Sequence, residues 1–178
     1  MRRARGFTLW ELLCTLGIAA VAFGLAAPAL TGLVLDARRT ADVNALVLAV
    51  QLARSEAAKR GRPVVVCSTV DGLACGADTR FDAGWMVYVN IDDRHPPNRS
   101  PTEPLLLLHT TAIRGSIRSN RPFFEFRPYW RRSTNGTVTF CDERGPASGR
   151  AVIVSYTGRP RVDSVAADRG ALQCAGLP

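Results

Sequence analysis

The sequence predicts an α+β chain, a long N-terminal helix followed by an antiparallel β-rich domain. Three observations predict it. A run of 24 residues, Leu12 to Leu35, carries no charged side chain. Val43, Leu46, Val47, Val50, Ala53 and Ala57 then recur at helical spacing. After Gly61, short apolar runs alternate with turn signals, the pattern of antiparallel strands. The 178 residues suit one helix plus one globular domain.

The uncharged run comes first. At about 1.5 Å per residue it spans about 36 Å as a helix, against a bilayer core of about 30 Å. Met1-Arg2-Arg3-Ala4-Arg5-Gly6 precedes it, and these basic residues favour a cytoplasmic N-terminus with the C-terminal bulk sent across the membrane. A secretory signal would have a shorter apolar region and a small-residue cleavage site, for which Ala26-Ala27 would serve. Arg2-Arg3 suggests a twin-arginine signal, but the residues after them fit poorly. A plain membrane anchor leaves Glu11 unexplained, since a carboxylate at the edge of an apolar helix is costly and usually functional.

Gly6-Phe7-Thr8-Leu9-Trp10-Glu11 resembles the prepilin-peptidase site of type IV pilins and type II secretion pseudopilins. Trp10 stands where a smaller or aliphatic residue is common. The resemblance implies cleavage by prepilin peptidase between Gly6 and Phe7, followed by N-methylation of Phe7. It also implies that Glu11 pairs with the N-terminal amine of a neighbouring subunit, which offsets the cost of burying the carboxylate. Pro28 matches a proline of pilins in the same place; an interior proline kinks or locally melts a helix. The expected organisation is a leader at 1–6, a transmembrane helix at 7–35, an amphipathic continuation at 36–60, and a periplasmic or extracellular β-rich domain at 61–178. Before assembly the chain would cross the inner membrane once. Its fold would be type IV pilin-like, with the long helix packed on an antiparallel sheet.

Lys59 and Arg60 suit a last helical turn, Gly61 a C-terminal cap, and Pro63 forbids continuation. Ala53-Arg54-Ser55-Glu56-Ala57-Ala58-Lys59-Arg60-Gly61, then Val64-Val65-Val66-Cys67, resembles the helix-to-domain junction of the GspH/FimT branch of minor pilins. Gly84-Trp85-Met86-Val87-Tyr88-Val89 resembles a glycine-tryptophan strand of the same branch. Candidate strands are Val64–Ser68, Trp85–Ile91, Leu105–His109, Ser116–Arg118, Phe123–Phe126, Thr137–Phe140, Ala151–Tyr156 and Arg161–Val165.

Cys14 lies in the apolar run, while Cys67, Cys75, Cys141 and Cys174 lie in the domain. Four cysteines allow three pairings. The local solution, Cys67–Cys75 and Cys141–Cys174, closes the shorter loops and implies an oxidising compartment. Without a Cys-x-x-Cys pair a four-cysteine zinc site is disfavoured. Asp92 and Asp93 are a weak calcium signal in a proline-rich loop, residues 92–104, that reads as solvated. No nucleophile elbow, phosphate loop or His-Glu-x-x-His occurs, so the sequence reads as a non-enzyme without cofactor or metal. His109 reads as a strand-end residue.

The net charge is +8, and Lys59 is the only lysine among 23 cationic residues. Removal of the leader takes three arginines and lowers the net charge to +5. Codon bias explains the arginine excess as well as selection for forked contacts to phosphate does. Arg114, Arg118, Arg121, Arg127, Arg131 and Arg132 crowd one stretch beside a single acid, Glu125. Phe124 and Phe126 read as core; Tyr129 and Trp130 lie open to either reading, core or base stacking. Gly158-Arg159-Pro160-Arg161 resembles the Gly-Arg-x-Arg motif of FimT-type minor pilins, which bind DNA during natural transformation. The resemblance implies DNA binding through Arg159 and Arg161; contacts to the phosphate backbone would make it sequence-independent, and the neighbouring Arg150, Arg131 and Arg132 would widen the patch. Three roles compete. One is a DNA-capturing minor pilin, and another a GspH-like pseudopilin with a structural role in a type II secretion pseudopilus tip. The third is a minor pilin that only primes assembly. All three imply other pilin or pseudopilin subunits as partners.

Overall fold

The computed structural model describes residues 8–128, 133–166, 170–172 and 174, with the backbone only of residues 25–29. Gly6, Phe7, Tyr129, Trp130, Arg131 and Arg132 lie outside the described residues. The chain divides into two compact units, Met1–Ala37 and Arg38–Pro178.

Helix α1 runs from Leu9 to Arg60, 52 residues. It continues without a break through position 28, so the proline does not melt it. Leu9, Leu12, Leu13, Ile18 and Phe23 in its first part are all exposed. Among the described residues no helix is long and apolar enough to cross a membrane. The side chains of residues 25–29 are not among them, and the uncharged run of the sequence passes through those positions. At the other end Gly61 takes φ 63°, and its N–H donates to the Ala57 carbonyl at 3.0 Å. The left-handed glycine closes the helix, and Lys59 and Arg60 complement the negative end of its dipole.

Eight strands follow: β1 (Val64–Ser68), β2 (Gly84–Val89), β3 (Leu105–Thr110), β4 (Gly115–Ser119), β5 (Phe123–Phe126), β6 (Gly136–Asp142), β7 (Arg150–Val154) and β8 (Pro160–Asp163). Each lies where the sequence predicts a strand, with bounds moved by at most two residues. They form two antiparallel sheets, ordered β3-β2-β1-β5 and β4-β6-β7-β8. Between β6 and β7 the sequence suggests only a turn; Pro146–Ser148 makes one 3-10 turn there.

One core serves both sheets. Val43, Leu46, Ala49, Val50, Ala53 and Ala57 of α1 pack in a single cluster with side chains from both sheets. From the first sheet come Val64, Val66, Trp85, Val87, Phe124 and Phe126; from the second come Ile117, Val138, Phe140, Val152 and Val154. The period-2 alternation of each strand sends these residues to the helix side. Their neighbours face the other way, into smaller clusters. Val65, Cys67, Met86 and Tyr88 back the first sheet, and Ala151, Ile153 and Leu172 back the second.

Both disulfides follow the local pairing. Cys67 joins Cys75 and Cys141 joins Cys174, with Cα atoms 5.6 and 5.8 Å apart. The first ties residues 69–74 over the outer face of β1. The second ties the C-terminal tail to β6, beside the small cluster that Leu172 completes.

A buried ion pair links α1 to the end of β6. Arg39 Nη1 lies 3.1 Å from Asp142 Oδ2, and Arg39 also donates to the Ser148 carbonyl. Arg144 Nη2 lies 2.6 Å from the same Asp142 oxygen. Burial raises the Asp142 pKa, but the Arg144 hydrogen bonds and charge and the Arg39 charge outweigh it, and the carboxyl is held below its usual range. A depressed folded pKa contributes stability that is present above the unfolded value, about 3.9, and lost as pH falls through the folded one. Asp142→Asn removes a buried carboxylate charge that both Arg39 and Arg144 contact, and is predicted to cost about 3–5 kcal/mol at neutral pH. Denaturant unfolding should show that gap narrowing below about pH 4 as the wild-type carboxyl protonates. A gap unchanged between about pH 7 and pH 3 would contradict this.

Candidate functional site

The β7–β8 connection builds the basic turn. Ser155 N–H donates to the Arg159 carbonyl at 3.1 Å, and Gly158 N–H donates to the Ser155 carbonyl at 2.8 Å. Ser155 Oγ accepts from Arg159 N–H at 3.2 Å. Gly158 takes φ 70°, which a side chain disfavours. It is also packed from above. A Cβ there would stand 2.9 Å from Arg54 Cδ, 3.1 Å from Arg54 Nε and 3.1 Å from Phe126 Cδ1. Glycine in Gly158-Arg159-Pro160-Arg161 is thus required twice, by its dihedral and by close approach. Pro160 opens β8, an edge strand, where a missing N–H is tolerated.

Arg159 is exposed at the turn, and no ion pair engages it among the described residues. Arg161 is the second residue of β8, opposite Ile153. Its side chain is 61% exposed, and Nη1 lies 3.7 Å from Asp163 Oδ2 on the same strand face. Exposed pairs of this kind contribute about 0–1 kcal/mol, so Arg161 remains available.

Arg150 does not join them. It begins β7 at the far end from the turn, about 13 Å along the strand. The pleat puts it on the side of Val152, opposite to the side that Ile153 and Arg161 share. Its Nη1 donates to the Gly149 carbonyl at 2.8 Å. Arg131 and Arg132 lie outside the described residues. Ser133, which follows them, donates its N–H to the Tyr156 carbonyl within the turn at 3.1 Å.

The other arginines of the crowded stretch divide. Arg118 pairs with Asp82 at 3.5 Å, while Arg114 and Arg121 are exposed. Arg127 joins a cluster. Its Nη2 lies 3.1 Å from Asp93 Oδ1, 2.6 Å from His95 Nε2 and 3.3 Å from Glu125 Oε1, and its Nε lies 3.1 Å from Glu125 Oε2. Asp93, His95 and Glu125 offer atoms within 4.8 Å of one another, as metal ligands would. The guanidinium already supplies positive charge among them, so the cluster ties the 92–104 loop to β5. Asp92 turns away to Arg94, 3.5 Å from its Nε, and does not share a site with Asp93. Glu103, buried, orders the same loop by accepting from Ile91 N–H at 2.6 Å and Ser100 N–H at 2.9 Å. His109 lies within β3, stacks on Trp85 with ring centroids 4.3 Å apart, and reaches buried Asp42 at 2.9 Å.

At the N-terminal end Thr8 and Glu11 form a capping box. Glu11 Oε2 accepts from Thr8 N–H at 2.9 Å, and Glu11 N–H donates to Thr8 Oγ1 at 3.2 Å. Sequence reasoning gave Glu11 an intermolecular role and missed this local one, though Thr-x-x-Glu before an apolar run is its signature. It also treated Arg54 as part of a junction pattern; only the fold brings the helix beside Gly158.

Gly158→Ala is predicted to lower the unfolding free energy by about 1–2 kcal/mol, from the left-handed backbone and the crowding by Phe126 and Arg54. Thermal denaturation checks it, and a variant as stable as wild type would contradict it.

The family profile described as Type II transport protein GspH matches residues 42–158, and Arg159 and Arg161 follow immediately after. No curated protein matches the sequence. Two crystal structures of the type IV minor pilin FimU from Pseudomonas aeruginosa strain PAO1 resemble the fold. One has a TM-score of 0.54 at 17% identity, over 76% of this chain and 98% of that chain. The other has 0.53 at 16% identity, over 76% and 92%. Likeness at that identity establishes the fold, a long helix on antiparallel sheet as in a type IV pilin. The profile spans well over half of the sequence, and on that ground this chain belongs to the GspH family, with a minor-pilin fold.

Proposed function

We propose that this chain is a minor type IV pilin that enters the pilus and captures extracellular DNA, without sequence choice, for natural transformation. The observation that carries it is the Gly158–Arg161 turn, where Arg159 is exposed without an acidic partner among the described residues and Arg161 is 61% exposed. Forked guanidinium donors suit phosphate, and Pro160 between them stiffens the pair and lowers the entropy cost of binding. Arg131 and Arg132, which the sequence assigns to the patch, precede Ser133, whose N–H donates to the Tyr156 carbonyl in the turn. Arg150 is left out of it on the strand geometry.

Before assembly, prepilin peptidase cuts Gly6–Phe7, Phe7 is N-methylated, and the helix over 7–35 holds the chain in the inner membrane with the domain in the periplasm. Its first half is apolar on every side and exposed, which calls for lipid or neighbouring helices. Glu11 then exchanges its Thr8 contacts for the amine of a neighbouring subunit. No catalytic role is proposed. A second reading, a structural subunit of a type II secretion pseudopilus tip, draws on the name of the matching family.

Full-length chain in detergent, titrated into unrelated DNA duplexes at several salt concentrations, tests the first reading. Binding should be similar for each duplex and fall steeply with salt. Arg159→Ala with Arg161→Ala should reduce the slope of log K against log salt by about 0.9 for each phosphate that is no longer neutralised. No wild-type binding at low salt, or a double variant that binds like wild type, would reject this reading in favour of the second.

A further inference from the structure

The geometry points to Arg54, on α1, as a third phosphate-binding arginine of the β7–β8 turn; this rests on the DNA-binding reading above. The stem and Nε of Arg54 lie across Gly158, the residue bonded to Arg159. A side chain at Gly158 would occupy the space that Arg54 fills. The glycine therefore shapes the turn and also admits a cation from another element.

Charge supports the assignment. Arg54 is half-buried, and no carboxylate pairs with it among the described residues. Glu56, close by in sequence, is committed elsewhere, to Arg60 and to Lys59 at 3.7 Å. Arg159 likewise has no acid among the described residues, and Arg161 has only the exposed Asp163 contact. Arg54 thus lies beside the residue bonded to Arg159 at one end of the second sheet, while Arg161, opposite Ile153, continues the basic edge on the face away from α1. Like charges held together repel, and an anion relieves that repulsion. Other arginines of the fold are neutralised instead: Arg39 and Arg144 by Asp142, and Arg127 by Glu125 and Asp93.

Position gives Arg54 a distinct part. Arg159 and Arg161 project from one turn and one strand, whereas Arg54 projects from the helix. Two elements flanking a ligand reach successive phosphates along a strand better than two residues of one hairpin do. The stem of Arg54 is held by packing on Gly158, beside Phe126, so binding costs less rotamer freedom.

The experiment uses full-length chain in detergent, a fluorescent DNA duplex of arbitrary sequence, and anisotropy titrations across a salt series. Four proteins are compared: wild type, Arg54→Met, Arg54→Lys and Arg114→Gln. Methionine keeps an aliphatic stem over Gly158 without the charge. Arg114→Gln removes one exposed charge just before β4, as a control for net charge. Arg54→Met should bind about fivefold more weakly near 0.1 M salt, with the log–log salt slope smaller by about 0.9. Arg54→Lys should keep the wild-type slope, and Arg114→Gln should change both quantities much less. Equal weakening by Arg54→Met and Arg114→Gln would overturn the proposal, because only net charge would then matter. So would an Arg54→Met protein with wild-type slope and affinity. A wild type that does not bind DNA would instead overturn the underlying reading, and this assignment with it.

Discussion

The buried stripe of α1 from Val43 to Ala57 is the constraint on which the rest of the domain depends. Two four-stranded sheets share no strand among the described residues, and each turns one face to that stripe. Removing a Val or Leu side chain from water stabilises by about 1.5–3 kcal/mol, and here the stripe closes on both sheets. Small residues set the distance. Ala49, Ala53 and Ala57 let the strands approach the helix backbone, while Val43, Leu46 and Val50 fill the space between them. The Arg39–Asp142 pair then fixes the helix against the end of β6, with directional bonds that apolar packing lacks.

The functional surface inherits its geometry from this arrangement. The β7–β8 turn lies at the edge of the second sheet, and α1 passes over it because α1 is also the core wall. Gly158 is where the two meet. Position 54 is exposed enough to hold a charge and close enough to the packed face to be held still. The two disulfides act elsewhere, tying loop 69–74 and the C-terminal tail over the outer faces. That arrangement suits a domain whose sheets need cover on the sides away from the helix.

Much of this was legible in the residues. Helix α1 announces itself through uncharged length and then through 3.6-residue spacing, and Gly61 with Pro63 marks its end. The strands announce themselves through period-2 runs between turn residues, so only their bounds moved. The disulfide pairing followed from loop length. Long-range placement was hidden. Nothing in the local pattern says that Arg150 stands at the wrong end of β7, because strand register depends on partners elsewhere in the chain. Nothing says that Arg54 meets Gly158, since the two are about a hundred residues apart in sequence. The Asp93–His95–Glu125–Arg127 cluster was hidden for the same reason, as the loop and β5 come together only through the first sheet. The Thr8–Glu11 capping box was legible and was masked by the stronger pilin resemblance.

Native-state hydrogen exchange, read amide by amide on the oxidised chain, tests the central role of the helix stripe most directly. If α1 is the shared wall, the amides of Val43–Ala57 and the central strands β1, β2, β6 and β7 open together, with one free energy and one denaturant dependence. If one sheet stays protected while the helix amides and the other sheet exchange, the two sheets are held by something other than α1.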